Sequence, residues 1–323
     1  MADEFETRVR DVFHRAPWSL ILAGGDGVRL RSLTRAITGE ARPKQFCPFL
    51  DGETLLEHTR RRVDRLSRFD HQAIVVTRSH VAYYAPLVRG LAPGRLVEQP
   101  GNRGTAAGLL YPLLRIADLA GDVPVAVFPS DHFVDDDRAF VAAAGVALDA
   151  VQARPDLVVL LGIEPDTPET EYGWIEADDR PLPMDGALVF PIRCFWEKPS
   201  AELATTLLAR RCLWNSFVMV GRVSAFLDLI AAGAPELVAR FQPLCGAIGT
   251  SREADAADAV YGTLPSINFS EHVLVPGAAR LGTVRVKGVE WSDLGNVERV
   301  YATIRRTGGH PRWLDNVPLP VAG

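Results

Sequence analysis

Short apolar runs alternate with stretches in which apolar residues recur every three or four positions, and the alternation holds from Trp18 to Ile163. The runs Trp18 to Ala23, Ala73 to Thr77, Leu96 to Glu98, Val123 to Phe128 and Leu157 to Ile163 read as buried strands. Leu55, Leu56, Thr59, Val63 and Leu66 fall at helical spacing and predict a helix over Glu53 to Ser67. Further helices are expected near Ala82 to Arg89, over Thr105 to Leu119 and over Asp137 to Ala153, the last opened by acidic residues. Strands that alternate with helices in this way predict an α/β fold with a doubly wound, mostly parallel sheet. Ligands of such sheets sit beyond the carboxyl ends of the strands.

After Pro165 the pattern changes. Tyr172 to Ala177, Ala187 to Glu197 and Leu213 to Val220 read as strands, with a helix over Ser200 to Arg211. This predicts a β-rich insertion, about 166–222, that covers the ligand edge. Ser224 to Ala232 and Pro235 to Phe241 are helical in pattern, and Gly246 to Asp258, small and polar, reads as a loop. Ile267 to Val275 and Thr283 to Val289 lead to Trp291-Ser292-Asp293, and Asn296 to Arg305 reads as a final helix. Residues 1–16 read as a short helix or arm, and 306–323 as a loose tail rich in glycine and proline. The expected organisation is one domain over 1–305 followed by that tail.

The chemistry concentrates where strands end. The first strand runs into Gly24-Gly25-Asp26-Gly27-Val28-Arg29, and Pro43-Lys44-Gln45-Phe46 follows. Glycines admit a ligand close to the backbone. Inward N–H groups with Arg29 and Lys44 beside them suit a polyphosphate. An ordinary strand–helix turn with two surface cations is the alternative. The stretch is neither a Walker A loop, since no lysine directly follows the glycines, nor a dinucleotide fingerprint, since Leu30 stands at the third glycine position. Asp131 closes the most apolar strand and Asp293 sits between Trp291 and Gly295. Two aspartates over a triphosphate would meet the preference of Mg²⁺ for oxygen ligands.

These pieces resemble the sugar-1-phosphate nucleotidyltransferases, and among them the mannose-1-phosphate guanylyltransferases. The resemblance rests on Gly24-Gly25-x-Gly27-x-Arg29-Leu30 and Pro43-Lys44-Gln45-Phe46, then Glu98-Gln99-Pro100, Pro129-Ser130-Asp131-His132, Tyr172-Gly173-Trp174-Ile175, Glu197-Lys198-Pro199, Trp214-Asn215-Ser216 and Trp291-Ser292-Asp293-Leu294-Gly295, in the family's order. It implies a nucleotide site at Leu22, Ala23, Gly24, Gly25, Gly27, Asn102, Gly104 and Thr105. It implies catalytic roles for Arg29, Lys44 and Asp131, and Mg²⁺ held by Asp131 and Asp293. Gly173, Glu197, Lys198 and Asn215 would take the sugar phosphate. The substrates implied are GTP, or another nucleoside triphosphate, and a sugar 1-phosphate, with a catalytically silent nucleotide-sugar-binding regulatory homologue as the alternative, and a homodimer is the assembly it suggests. Three departures stand out: Asp26 and Val28 where the family usually has Ser or Thr, Asn102-Arg103-Gly104-Thr105-Ala106 for its Arg-Asn-Thr-Ala segment, and Phe217 for a usual glycine.

Composition narrows the picture. The chain has 323 residues, 47% of them apolar, and a formal charge of −5, with no basic stripe to suit nucleic acid. Arg60-Arg61-Arg62 reads as the solvated face of a helix. Cys47, Cys194, Cys212 and Cys245 are scattered, so neither a zinc site nor a disulfide framework is expected. No apolar run approaches a membrane span, and a cytoplasmic protein without membrane partners is expected. No Ser-His-Asp or Cys-His arrangement is visible, and transfer to a phosphate nucleophile requires none.

Overall fold

The computed structural model describes residues 17–184 and 186–317. The arm expected over 1–16 and the end of the tail lie outside the described residues. Four strands form a parallel block in the order β3-β2-β1-β4: β1 (Trp18–Ala23), β2 (Gln72–Thr77), β3 (Leu96–Gln99) and β4 (Pro124–Pro129). Leu20 lies beside Ala73 on one side and Val127 on the other. The stretch 24–45, read as one long loop, holds a helix of its own, α1 (Arg31–Thr38). α2 (Leu55–Val63) is shorter than its apolar spacing suggested. It begins at a reciprocal cap in which the Thr54 hydroxyl accepts from the Glu57 N–H and Glu57 accepts from the Thr54 N–H. α3 (Val81–Tyr84) is a single turn, α4 (Gly104–Ala120) follows β3, and α5 (Asp137–Ala153) starts where Asp136 accepts from the Arg138 and Ala139 N–H groups.

The second half makes the sheet mixed. Its strands are β6 (Val158–Ile163), β7 (Gly173–Ala177), β8 (Phe190–Glu197), β9 (Leu213–Arg222) and β10 (Leu281–Val286), and the full order is β3-β2-β1-β4-β9-β6-β10-β8-β7. β6 and β10 are parallel, whereas β9 is antiparallel to both β4 and β6. β9 therefore belongs to the centre of the sheet. The covering insertion ends before it and consists of β7, β8 and α6 (Ala201–Ala209).

β9 also forks. Its end, Met219 to Arg222, pairs with β4, whereas its start, Leu213 and Trp214, pairs with β7 on that same side. β6 runs along the other side, with a bulge between Leu160 and Gly162. Asn215 to Val218 lies at the fork, with Phe217 at φ +58°.

One face of the sheet packs on α4, α7 (Val223–Gly233), α8 (Pro235–Cys245) and α9 (Glu253–Thr263) through residues such as Leu113, Phe226, Phe241 and Tyr261. The other packs on α2 and α5 through Leu56, Phe140 and Val151. α9 takes up the second part of the loop expected over 246–258, from Glu253 on. Ala257, Val260 and Tyr261 are buried on one helical face, and Glu253 accepts from the Tyr111 hydroxyl at 2.9 Å and from Arg115. The described part of the tail, up to residue 317, is likewise packed: after α10 (Val297–Thr307), Trp313 is buried and donates to the Phe49 carbonyl at 2.9 Å. Arg62, read as solvated, is buried and pairs with Asp137 at 2.6 Å. Among the described residues, no helix is long and apolar enough to cross a membrane.

Candidate active site

A cavity of about 430 Å³ opens at the carboxyl ends of the parallel strands, beside the fork in β9. Gly24 and Gly25 line it, and their loop is held from behind. Gln45 Nε2 donates to the carbonyls of Ala23 at 3.0 Å and Gly25 at 2.7 Å, and the Thr77 hydroxyl donates to that of Gly24 at 2.8 Å. Gly27, at φ +56°, passes so near the next loop that a Cβ would lie 2.7 Å from the Lys44 nitrogen. That closeness to the Lys44 backbone explains a glycine there.

A small second sheet brings the two aspartates together. β5 (Phe133–Val134) pairs antiparallel with β11 (Trp291–Ser292), Phe133 opposite Ser292. The residues just before β5 and just after β11 therefore meet, and Asp131, His132 and Asp293 all line the cavity. Lys44 joins them: its ammonium is 3.2 Å from Asp131 Oδ2 and donates to the Asp293 carbonyl. Burial works to raise the Asp131 pKa, but Lys44 and then His132 hold it below the ordinary value. Asp293 Oδ1 accepts from the Gly295 N–H at 2.8 Å and from Arg299 at 2.9 Å. Arg299 also bonds Glu169 and lies over the Tyr172 ring. Burial lowers Arg299 to about 10, so it remains charged at neutral pH. Two carboxylates facing one cavity are hard oxygen donors, a set that fits Mg²⁺.

The covering strands supply the far wall. Gly173 pairs with Glu197, and the absence of a side chain at Gly173 leaves room for the Phe195 ring and the Glu197 carboxylate. Burial raises the Glu197 pKa. Asn215 is buried and accepts from the Phe217 N–H at 3.0 Å, which supports the left-handed turn at Phe217. Phe217 lines the cavity with its ring edge on Phe269. Trp174 and Trp214 are buried edge to face, as expected of packing residues.

Of the residues expected at the site, Leu22, Gly24, Gly25, Asn102, Gly104, Thr105, Asp131, Gly173, Glu197, Asn215 and Asp293 line the cavity. Ala23 is buried behind it, and Lys44 reaches it through Asp131. Arg29 is exposed and pairs with Glu171 of the covering segment at 3.2 Å, and Lys198 is exposed and outside the lining. Gln45, Thr77, His80, Tyr172 and Arg299 received no role from sequence. Gln45 lies in the quoted Pro-Lys-Gln-Phe segment, which was the available signal. Arg299, six residues past Asp293, carried none. Cys47 is buried and its thiol is pushed up to about 12, so it is inert.

This fold and cavity define an α/β protein with a ligand-sized cavity at the carboxyl ends of its parallel strands. The chain belongs to the nucleotidyl transferase family, which residues 18–307 match. It is 32% identical over 240 residues to the xanthan biosynthesis protein XanB of Xanthomonas campestris pv. campestris, covering 73% of this chain and 48% of that protein. It is 29% identical over 288 residues to a mannose-1-phosphate guanylyltransferase of Sinorhizobium fredii, covering 87% of this chain and 54% of that one. The chain thus spans about half the length of these curated relatives. The crystal structure of a mannose-1-phosphate geranyltransferase from Thermus thermophilus superposes with a TM-score of 0.74 at 32% identity, covering 89% of this chain and 79% of that chain.

Proposed function

We propose that this protein catalyses GTP + mannose 1-phosphate ⇌ GDP-mannose + pyrophosphate. The observation that carries the reading is the Lys44 ammonium between Asp131 and the Asp293 backbone, at the end of a cavity bounded by the glycine loop and by Glu197. The relatives named for mannose 1-phosphate supply the choice of sugar and, in the guanylyltransferase, of base.

In this reading a phosphate oxygen of the sugar phosphate attacks the α-phosphorus of GTP in line. The new O–P bond forms as the bond from the α-phosphorus to its bridging oxygen breaks, and pyrophosphate leaves with the electron pair. No general base is needed, because the nucleophile is already an anion. Asp131 and Asp293 would hold Mg²⁺, which supplies charge neutralisation on the phosphates. Lys44 adds positive charge where negative charge develops. Gly24 and Gly25 admit the triphosphate close to the backbone. Glu197 and Asn215 orient the sugar hydroxyls; Arg29 would have to leave Glu171, and Lys198 to swing in from outside the lining, to meet phosphate oxygens.

A second reading keeps the chemistry and changes the pair of substrates. The Phe217 ring inside the cavity favours it, since it narrows the space beside Asn215. Turnover of purified protein against a panel of nucleoside triphosphates and sugar 1-phosphates separates the two. Turnover only with pairs other than GTP and mannose 1-phosphate would overturn the first.

A further inference from the structure

We propose that Asp26 is a positioning residue for the nucleotide: its carboxylate latches the glycine loop to the loop that opens α4. Asp26 Oδ2 accepts from Asn102 Nδ2 at 2.9 Å, and Oδ1 lies 3.3 Å from His80 Nε2. Asn102 in turn accepts from the Gly104 N–H at 3.0 Å through Oδ1. One carboxylate thus joins the segments that follow three adjacent parallel strands, β1 through Asp26, β2 through His80 and β3 through Asn102.

Each partner is itself fixed. His80 is buried, with its ring edge-on to Phe46, two residues past Lys44. Gly104 sits at φ +82°, and a Cβ there would fall 2.3 Å from the Ile267 carbonyl oxygen, so that loop is seated on the body of the protein. Gln45 and Thr77 hold the glycine loop from behind, as described above. The Asp26 latch holds it sideways, against a second loop that lines the same cavity. The two departures from the family pattern in this region, Asp26 and the Asn102 segment, are therefore each other's hydrogen-bond partners.

Electrostatics alone argues the opposite role. A carboxylate near a polyphosphate repels it, and removing the acid would tighten binding. The geometry favours the latch, because both Asp26 oxygens are engaged by neighbouring side chains. Preorganised loops raise affinity by lowering the ordering cost of binding.

The inference rests on the reading of this cavity as a nucleotide site, and its test separates the two. GTP binding with Mg²⁺ is measured by calorimetry for the wild type, Asp26→Ala, Asp26→Asn, Asn102→Ala and the Asp26→Ala/Asn102→Ala double variant. Amide hydrogen exchange over 24–30 and 101–106 is measured on the same proteins without nucleotide. The latch predicts about 10-fold weaker GTP binding for Asp26→Ala, the size expected when one charge-assisted hydrogen bond that preorganises the site is lost. Asp26→Asn, which keeps an acceptor for Asn102, falls in between. The double variant is no worse than the worse single variant, and exchange rises in both loops. In steady state the change appears in the KM for nucleotide and much less in kcat. Tighter GTP binding by Asp26→Ala, or additive single effects with unchanged exchange, would overturn the latch. If the wild type fails to bind GTP, the substrate reading falls, and the exchange data still decide the latch.

Discussion

Lys44 is the side chain on which most of the site's electrostatics converge. It is buried and sits against both Asp131 and the Asp293 backbone. Lys44→Met is expected to lower kcat by about 10²–10³-fold, the cost of removing one preorganised group that stabilises developing charge. Pyrophosphate release at saturating substrates measures it. Glu197 gives a pH prediction. Burial raises its pKa above the ordinary 4.5, so the folded protein holds that proton more tightly than the unfolded chain. Stability from this group is present below the ordinary value and declines as pH rises through the raised one. Glu197→Gln is therefore expected to be more stable than the wild type at neutral pH and equal to it at about pH 4, while its KM for the sugar phosphate rises. Urea midpoints at the two pH values check the first part. Phe217→Gly relieves a left-handed conformation worth roughly 1–2 kcal/mol but loses the burial of a partly buried ring as well as an aromatic contact worth about 0.5–1.5 kcal/mol. Stability should fall in a urea titration, while the range of sugar phosphates accepted widens. At this scale the strand-end motifs and the family resemblance pointed to Lys44, Asp131, Asp293 and Glu197, which the structure brings to one cavity. They did not name those that act by position, such as Gln45 behind the glycine loop and Arg299 on Asp293, because contacts between distant residues leave no local pattern.

Elements were legible where a local signal fixed them. The continuous apolar runs of β1, β2, β4 and β6 and the acidic start of α5 appear close to where their patterns place them, whereas the Thr54 cap of α2 was not read. α9 was hidden because its buried positions, Ala257, Val260 and Tyr261, sit among small and acidic residues, and its N-terminal anchor is a long-range contact from Glu253 to Tyr111 and Arg115. The direction of β9 was hidden as well, since this antiparallel strand is buried on both faces and lacks the apolar–polar alternation that usually marks antiparallel pairing. The start of α4 bears a strong constraint. Gly104→Ala is expected to destabilise by well over the roughly 1 kcal/mol of an ordinary glycine substitution and to abolish nucleotide binding, because its Cβ meets the Ile267 backbone. Thermal unfolding and GTP calorimetry check both parts.

Across the whole molecule, the cavity exists because the sheet changes partners at β9, where β4 turns toward Asp131 and β7 toward Gly173. The parallel block brings the glycine loop, the antiparallel cover brings Glu197, and the β5–β11 ribbon closes the floor with Asp293. The last helix and the segment after it belong to this body. Trp313→Ala is expected to cost about 3–5 kcal/mol in urea unfolding, the range for a large buried aromatic.

The central claim is nucleotidyl transfer from GTP to mannose 1-phosphate at the Lys44–Asp131–Asp293 end of this cavity. Pyrophosphate release from purified protein with Mg²⁺, GTP and mannose 1-phosphate, alongside Asp131→Asn, tests it most directly. The account predicts release by the wild type and a loss of at least about 10²-fold in the variant. No release by the wild type, or equal release by the two proteins, would contradict it.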